Sequence, residues 1–281
     1  MGHLARTFFC SLDHIPALPS YSTASLCIIY TSRAQKWRLR VIDTSFDVRE
    51  DTPPGRDPDV RSATLRKYHR QLWSKALPNG SSFELVTTTP RVYLHHRSTI
   101  GEFFLASDSV IPTFTRSRRI EAVVQQVPQD VRDTFLRLSY TIGGMMVFPG
   151  NKIGTAMTIN GARGCNYRIK DRFDLTVECI RRHYLDEDSP LKDDLGRYHT
   201  FFALFGDFKG YVQFFLLQDI VSPDCSEVTF FLPFDGFRPW PLPDSVDAYM
   251  SYRQAAETFL NARNRRIRQS ARPSGTVSYD A

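Results

Sequence analysis

The chain has 281 residues, a formal net charge of +6, 42% hydrophobic residues and 23% charged residues. This length fits one large domain or two small ones and is enough to bury a sizeable core. The five cysteines are odd in number and form no CxxC pair, which argues against a zinc ribbon and a disulfide framework and favours reduced thiols in a cytosol. The most apolar run, 211–217, is far shorter than a membrane span. We therefore predict a soluble, cytoplasmic protein without a membrane partner.

The composition changes along the chain and predicts three regions. Residues 1–41 mix Ser, Thr and Pro with scattered apolar residues that follow no period, so we expect a flexible N-terminal extension. Residues 42–266 carry the regular patterns and are predicted to form a single globular domain. Residues 267–281 are polar and basic, and we expect a disordered tail there.

The globular region begins with a turn-rich segment at 51–59. Apolar residues at helical spacing then predict helices at 65–72, 117–126, 128–140, 170–185, 191–205, 211–220 and 244–266. Runs rich in β-formers predict strands at 83–86, 92–96, 145–148 and 227–232, while 102–111 is ambiguous. We expect Asp244 or Ser245 to cap the last helix. Strands interrupted by several consecutive helices predict an α+β fold, a single mixed domain with a small sheet and a helix-rich C-terminal half.

The segment 158–164, TINGARG, is the first candidate site and is predicted to be a loop. Glycines let backbone N–H groups converge on an anion, and an arginine adds a bidentate contact to a phosphate or carboxylate. The spacing matches neither a P-loop nor a dinucleotide fingerprint. The alternative is a structural turn in which Arg163 pairs with a nearby Asp. The predicted anion-binding residues are Asn160, Arg163, Gly164, Arg168 and Arg172.

An acidic stripe on the helix at 170–185 is the second candidate site. Asp171, Asp174 and Glu178 fall on one narrow line at about 100° per residue. Their carboxylates suit a hard cation such as Mg²⁺, which would serve an enzyme acting on a phosphate-bearing substrate. The alternative is a solvated face with i,i+4 pairs, such as Glu178 with Arg182. Leu175 lies beside the stripe, and an acidic row covered by protein would need partners.

Positive charge is concentrated in two stretches. Residues 150–184 contain seven basic and three acidic residues, a net of +4. Residues 263–272 contain five arginines and no acid. The second stretch either contacts nucleic acid electrostatically or is an ordinary basic helix end. We find no HExxH or GxSxG motif in the sequence, so no catalytic motif is present.

Several long stretches are distinctive, among them YTIGGMMVFPGNKI, TINGARG, DRFDLTVECIRRHYL and FFALFGDFKGYVQFFLLQDIV. Through them the chain resembles, from residue 42 to about residue 267, a bacterial family built on a domain of unknown function. The resemblance implies a common fold and a bacterial, cytoplasmic protein. It implies no activity, substrate or catalytic residue, and a fold alone does not license a function.

Three classes of function remain open, and the sequence does not decide whether the chain is an enzyme. The first, which we prefer, is binding of a nucleotide or nucleic acid through the Gly/Arg-rich segment. The second is a metal-dependent enzyme on a phosphate-bearing substrate, with Mg²⁺ as cofactor. The third is a protein–protein interaction component without catalysis. We expect the aromatic residues of 201–215 to form a helical core, and an exposed patch there would instead support the third class.

Overall fold

The structure, a computed structural model, describes residues 42–271. The predicted N-terminal extension, 1–41, and the chain beyond residue 271 lie outside the described residues. Within 42–271 the chain forms ten α-helices and two small antiparallel sheets, and most helices follow the last strand. The α+β prediction is therefore confirmed. We find no helix in this range that has the length and apolar character to cross a membrane.

The strands form one two-stranded and one three-stranded sheet. They are β1 Lys75–Ala76, β2 Ser82–Phe83, β3 Leu94–Ser98, β4 Gly101–Ser109 and β5 Met145–Pro149. Strand β1 pairs with β2, and β4 lies between β3 and β5. Leu105 at the centre of β4 faces Leu94 on one neighbour and Pro149 on the other. The ambiguous segment 102–111 is thus mostly the central strand of the larger sheet.

The helices lie before, between and after the strands along the chain. They are α1 Pro58–Arg61, α2 Ala63–Trp73, α3 Glu121–Val124, α4 Gln129–Ser139, α5 Ile159–Cys165, α6 Phe173–Tyr184, α7 Lys192–Gly196, α8 His199–Ala203, α9 Phe208–Phe214 and α10 Val246–Ser270. Side chains that accept hydrogen bonds from first-turn N–H groups cap five of them: Asp57, Ser62, Thr158, Asp207 and Ser245. Ser245, one of the two predicted caps, begins α10, which continues to Ser270, four residues beyond the predicted end.

The segment predicted to be a Gly/Arg-rich loop is helix α5. Thr158 caps it by accepting a hydrogen bond from Gly161 N at 3.4 Å. A glycine inside a helix costs about 1 kcal/mol relative to alanine. Burial of Ile159 and Ala162 in the core offsets that cost, since apolar burial stabilises by about 25 cal/mol per Å². The glycine content therefore led to the wrong prediction, a loop, for a segment that is helical.

The segment 227–232 is not a strand, contrary to the prediction. Only Val228 forms a bridge there, to Val221. The backbone N–H of Phe231 instead donates to the Asp174 carboxylate at 2.9 Å, so a side chain takes the place of a neighbouring strand. The predicted helix at 117–126 also shortens, to α3, and the helices at 191–205 and 211–220 break into α7, α8, α9 and a 3₁₀ turn at Gln218–Ile220.

The aromatic residues of 201–215 are core residues, as predicted. Their rings pack edge-to-face and tilted against one another, and every one of them is at most 6% exposed. The set comprises Phe201, Phe202, Phe205, Phe208, Tyr211, Phe214 and Phe215. These helices consequently present no exposed aromatic patch to a partner.

Candidate functional site

An open cleft lies against the three-stranded sheet and has a volume of about 960 Å³. Residues 104–106 of β4, with Gly150 and Asn151 after β5, form its floor. Residues 60–61 of α1 form one wall, and the loop 87–93 forms the other. Small-molecule sites in proteins typically have volumes of about 300–1,000 Å³. The cleft is thus large enough for a ligand of nucleotide size.

Arg66 of α2 holds the loop 87–93, one wall of the cleft, through three hydrogen bonds. Its Nε donates to the Tyr93 carbonyl at 2.6 Å, and its Nη2 donates to the carbonyls of Thr87 and Val92, both at 2.8 Å. The Tyr93 hydroxyl lies 3.4 Å from His69 Nδ1, and burial lowers the pKa of His69 to about 3, so that imidazole is neutral. One guanidinium that holds three carbonyls of a loop gives the cleft a preformed wall.

His95 connects the loop wall to the floor. Its ring stacks on Phe104 with centroids 4.7 Å apart and planes inclined by 4°. Its Nδ1 lies 2.8 Å from Thr89 Oγ1, and its Nε2 lies 2.8 Å from Glu102 Oε1. These contacts hold a floor ring and a wall hydroxyl in fixed positions.

Gly150 keeps the floor open where the chain leaves β5. A Cβ at this position would lie 2.8 Å from the Ala106 Cβ, closer than real Cβ contacts, and 3.0 Å from the Ala106 nitrogen, which is also tight. The absence of a side chain allows Gly150 N to donate to the Phe104 carbonyl at 2.7 Å. Any larger residue would push the chain away from β4 and deform the cleft.

Two arginines at the walls carry unpaired positive charge. Arg61 and Arg91 both line the cleft, and both are exposed. Neither side chain has a hydrogen bond or ion pair to any residue in 42–271. Arg91 has a φ of 63°, in the left-handed region that is unfavourable for residues with a Cβ. The cleft therefore has a positive rim.

Two carboxyl groups with raised pKa values, those of Asp108 and Asp59, lie near the C-terminal end of β4. Side chains alternate along a strand, so Asp108 follows Ala106 on the same face of β4, and it pairs with Arg163 of α5. Burial raises the pKa of Asp108 to about 7, although the Arg163 guanidinium acts to lower it. Asp59 of α1 accepts a hydrogen bond from Ser109 N at 3.0 Å, and burial raises its pKa to about 6.

Buried oxygens near this pair have free hydrogen-bonding capacity. Asp59 Oδ1 and Asn160 Oδ1 have no hydrogen-bond partner among the described residues. Asn160 donates its amide to the Ser107 carbonyl at 3.0 Å, which ties α5 to β4. Native proteins leave few buried polar atoms unpaired, so such atoms are informative about function.

Arg163, the central residue of the predicted anion site, is 0% exposed. Its Nε donates to Thr176 Oγ1 at 2.9 Å, its Nη1 to Asp108, and its Nη2 to the Asp171 carbonyl at 3.0 Å. Each of its three nitrogens thus donates inside the protein. An Arg–Asp pair is what the structural alternative for this segment predicted.

The other predicted anion-binding residues do not gather around a common surface. Arg172 is buried, pairs with Asp174 and donates to the Pro241 carbonyl at 3.1 Å. Arg168 Nε donates to the Phe237 carbonyl at 2.8 Å. At Gly164 a Cβ would lie 3.2 Å from the Asp171 carboxylate. Of the five predicted residues, Asn160 and Arg163 contact the end of β4, Asn160 through the Ser107 carbonyl and Arg163 through Asp108.

The predicted metal ligands are engaged by arginines. Asp174 and Glu178 are buried, whereas Asp171 is 46% exposed. Glu178 accepts hydrogen bonds from Arg181 at 2.8 and 2.9 Å and from Arg182 at 2.7 Å, so the predicted Glu178–Arg182 pair is confirmed. Within 42–271 no three His, Cys, Asp or Glu side chains are placed to hold a metal ion together. Asp174 and Glu178 are thus covered and paired with arginines of the protein itself, whereas Asp171 is partly exposed.

Residues 42–267 match a family described as a family of unknown function (DUF6994). The chain belongs to this family. The match includes α1, the loop 87–93, β4, β5 and α5, and therefore the whole cleft. No curated protein and no solved structure matches the chain.

The residues that line the cleft were missed by the sequence interpretation. Arg61 lies in a four-residue helix, and Arg91 follows a Thr-Thr-Thr-Pro turn, so neither belongs to a recognised motif. The Pro-Asp sequence that begins α1 at Pro58 is the one local signal, since it is typical of a helix start. This signal predicts the start of helix α1 but does not show that the helix lines a cleft.

Proposed function

We propose that this protein binds a nucleotide or a related phosphate-bearing small molecule in the cleft. The observation that supports the proposal most directly is that Arg61 and Arg91, exposed and free of ion pairs within 42–271, face one cavity of about 960 Å³. Two guanidinium groups on opposite walls suit a polyanionic group between them, because each offers a planar fork to phosphate oxygens.

The rest of the lining suits the remainder of such a ligand. Tyr93 and Phe104 offer aromatic surface, and Val60 adds an apolar side chain that is 58% exposed. Ligand sites commonly combine apolar and aromatic walls with a few fixed polar groups. The loop 87–93 supplies those polar groups as threonine hydroxyls and backbone atoms held by Arg66.

In this proposal the Gly/Arg-rich segment supports the cleft rather than contacting the anion. Arg163 holds Asp108 at the end of β4, and Asn160 holds the backbone of the same strand. The residues proposed to contact the anion are therefore Arg61 and Arg91 in place of Arg163. The metal-enzyme class has less support, because arginines occupy Asp174 and Glu178. The interaction class loses the exposed aromatic patch that would have favoured it.

We also propose that the protein is bacterial and cytoplasmic, a setting that accords with a nucleotide ligand. Cys165, Cys179 and Cys225 are all free thiols, as expected in a reducing compartment. Fractionation of cells that express the native protein tests this setting, and recovery from a secreted or envelope fraction would contradict it.

The direct test is a thermal-shift and calorimetric titration with ATP, GTP, cyclic nucleotides and inorganic phosphate. A ligand that binds only the native state stabilises it by about 2.7 kcal/mol at one hundred times its Kd. We expect Arg61→Gln and Arg91→Gln each to weaken binding by about 1.5–3 kcal/mol, the range for hydrogen bonds to charged groups. Arg265→Gln, an exposed arginine of α10 outside the lining, is the matched control.

The outcomes separate the parts of the proposal. No binding by any of these ligands at millimolar concentration would overturn it. Binding that survives both cleft substitutions would place the ligand elsewhere. A loss of the same size in Arg265→Gln would indicate a general charge effect instead of the cleft.

A further inference from the structure

A second surface combines exposed aromatic rings with cations, and we name it the aromatic–basic surface: Tyr167, Lys170, Trp240 and Arg119. Tyr167 is 50% exposed and Trp240 is 38% exposed. Their ring centroids are 6.4 Å apart, and Trp240 N donates to the Tyr167 carbonyl at 2.8 Å. That hydrogen bond joins two distant chain segments at the surface.

Cations gather around the Trp240 indole. The guanidinium carbon of Arg119 lies 3.2 Å from the ring centroid, and Lys170 Nζ lies 4.5 Å from it. Neither cation has an ion pair with a described residue. An aromatic face attracts cations, so Trp240 holds positive charge beside the exposed Tyr167 ring.

The backbone is strained where it presents these side chains. Lys170, Asp171, Phe237 and Trp240 have φ values of 49°, 61°, 60° and 57°, all in the left-handed region. This region is unfavourable for residues with a Cβ, and such residues cluster at functional sites. Two separate segments adopt it where they meet, which argues that the arrangement of Lys170 and Trp240 is maintained for a reason other than local backbone preference.

We infer that the aromatic–basic surface binds single-stranded nucleic acid. Proteins that bind single strands combine cations that follow the phosphates with aromatic rings on which bases stack. The Tyr167 ring is half exposed and offers the stacking surface, while Arg119 and Lys170 supply two unpaired cations. A duplex hides its bases from such a ring, and an acidic peptide would use the cations without the ring.

This inference does not depend on the cleft, because none of the four residues lines it. The ligand of the cleft would be a small molecule that enters a cavity, whereas a strand would lie along an open surface. The two proposals therefore stand or fall separately.

The test is fluorescence anisotropy of labelled 20-nucleotide oligo-dT and oligo-U with the full chain. We expect binding that weakens with salt and a roughly tenfold loss of affinity in Tyr167→Ala, within the range for one lost stacking contact. Tyr167→Phe keeps the ring and should bind like the parent chain. Lys170→Gln should lower the slope of log K against log salt by about 0.7, the value for one phosphate contact on a single strand.

The controls are a blunt duplex of the same length, polyglutamate as competitor, and Arg97→Gln, an exposed arginine of β3 outside this surface. Circular dichroism of each variant confirms that it is folded. Unchanged affinity in folded Tyr167→Ala, equal affinity for the duplex, or no binding at 50 mM salt would overturn the inference. Displacement by polyglutamate with no dependence on Tyr167 would also overturn it and would point to an acidic protein partner.

Discussion

At the scale of single residues, three arginines are internal cross-links and differ from the free cations at the surface. Arg163, Arg172 and Arg263 are buried. Arg263 donates to the carbonyls of Gly143 at 2.8 Å, Met145 at 3.0 Å and Phe215 at 3.2 Å. Burial lowers its pKa to about 10, so it remains charged at neutral pH. These side chains join segments more than 40 positions apart and are unavailable to an external anion.

Arg163→Met tests the internal role of Arg163. The substitution leaves the Asp108 carboxylate without its cation in a poorly solvated site. Breaking a buried ion pair by removing one partner costs about 3–5 kcal/mol, so we expect the free energy of unfolding to fall by that amount. Urea denaturation at about pH 8.5, above the pKa of about 7 for Asp108, measures it.

The matched control is Arg265→Met, which removes an exposed arginine and should change stability by less than about 0.5 kcal/mol. The double variant Arg163→Met with Asp108→Asn removes both charges and should recover part of the loss. Equal effects of Arg163→Met and the control would contradict a structural ion pair.

Asp59 should make stability depend on pH. Its pKa is about 6 in the folded chain against 3.8 as the ordinary value. A carboxyl with a raised folded pKa contributes stability below pH 4, and that contribution is lost as the pH rises to about 6. We expect the difference in unfolding free energy between the parent chain and Asp59→Asn to move in favour of the variant over this window, by at most about 3 kcal/mol. Urea titrations at pH 4 and pH 7 measure the change, and a constant difference would contradict it.

At the scale of elements, helix α10 organises the approach to strand β5. Asn264 accepts a hydrogen bond from Gly143 N at 2.9 Å and donates to Thr141 Oγ1 at 2.9 Å. A turn earlier in the helix, Phe259 and Leu260 are buried in the core. The 3₁₀ turn at Ile142–Gly144 is therefore held from the helix side, and the first strand residue, Met145, follows directly.

Two glycines in different elements should respond in opposite ways to alanine. At Gly144 a Cβ would lie 2.0 Å from the Ser139 carbonyl oxygen, so the backbone itself must move. We expect Gly144→Ala to cost more than about 3 kcal/mol, as overpacking of a rigid site does at its upper range. At Gly196, at the end of α7, no atom lies within 4 Å of the added Cβ, and we expect Gly196→Ala to stabilise by about 0.5–1 kcal/mol. Thermal and urea unfolding of both variants measure the two changes in stability. Equal changes in the free energy of unfolding would contradict the close packing around Gly144.

The elements that sequence patterns predict are those long enough to show a period. Helices α2, α4, α6 and α10 each extend over three turns or more, and their apolar stripes locate them. Helices α7 and α8 have five residues each, too few to show a stripe. The segment 227–232 has strand composition, but the distant Asp174 carboxylate binds its backbone. Tertiary contacts of this kind are absent from local patterns.

At the scale of the whole molecule, the order of strands and helices was sufficient to predict an α+β fold. The site was not predictable in the same way, because its parts come from α1, the loop 87–93, β4 and the chain after β5. Asp108 and Arg163 are 55 positions apart, and nothing local pairs them. The sequence shows that a residue is charged but not whether it is buried. Arg163 and Arg172 were therefore predicted to bind an anion, although both are buried.

The distribution of charge also changes between sequence and structure. Of the seven basic residues in 150–184, four have carboxylate partners in ion pairs: Arg163, Arg172, Arg181 and Arg182. The net of +4 therefore overstates what this stretch presents to solvent. Unpaired positive charge is found at the cleft rim and on the aromatic–basic surface, which the sequence interpretation did not single out.

The position of Trp240 has an optical consequence. Charge close to an indole changes the energy and lifetime of its excited state, and this ring has both Arg119 and Lys170 against it. Any molecule that draws either cation away alters the emission of this one fluorophore. Trp73, fully enclosed in the core, supplies an emission that solvent and solutes do not reach. The chain has a third tryptophan, Trp37, outside the described residues, so a solute bound at Trp240 would change only part of the total tryptophan emission.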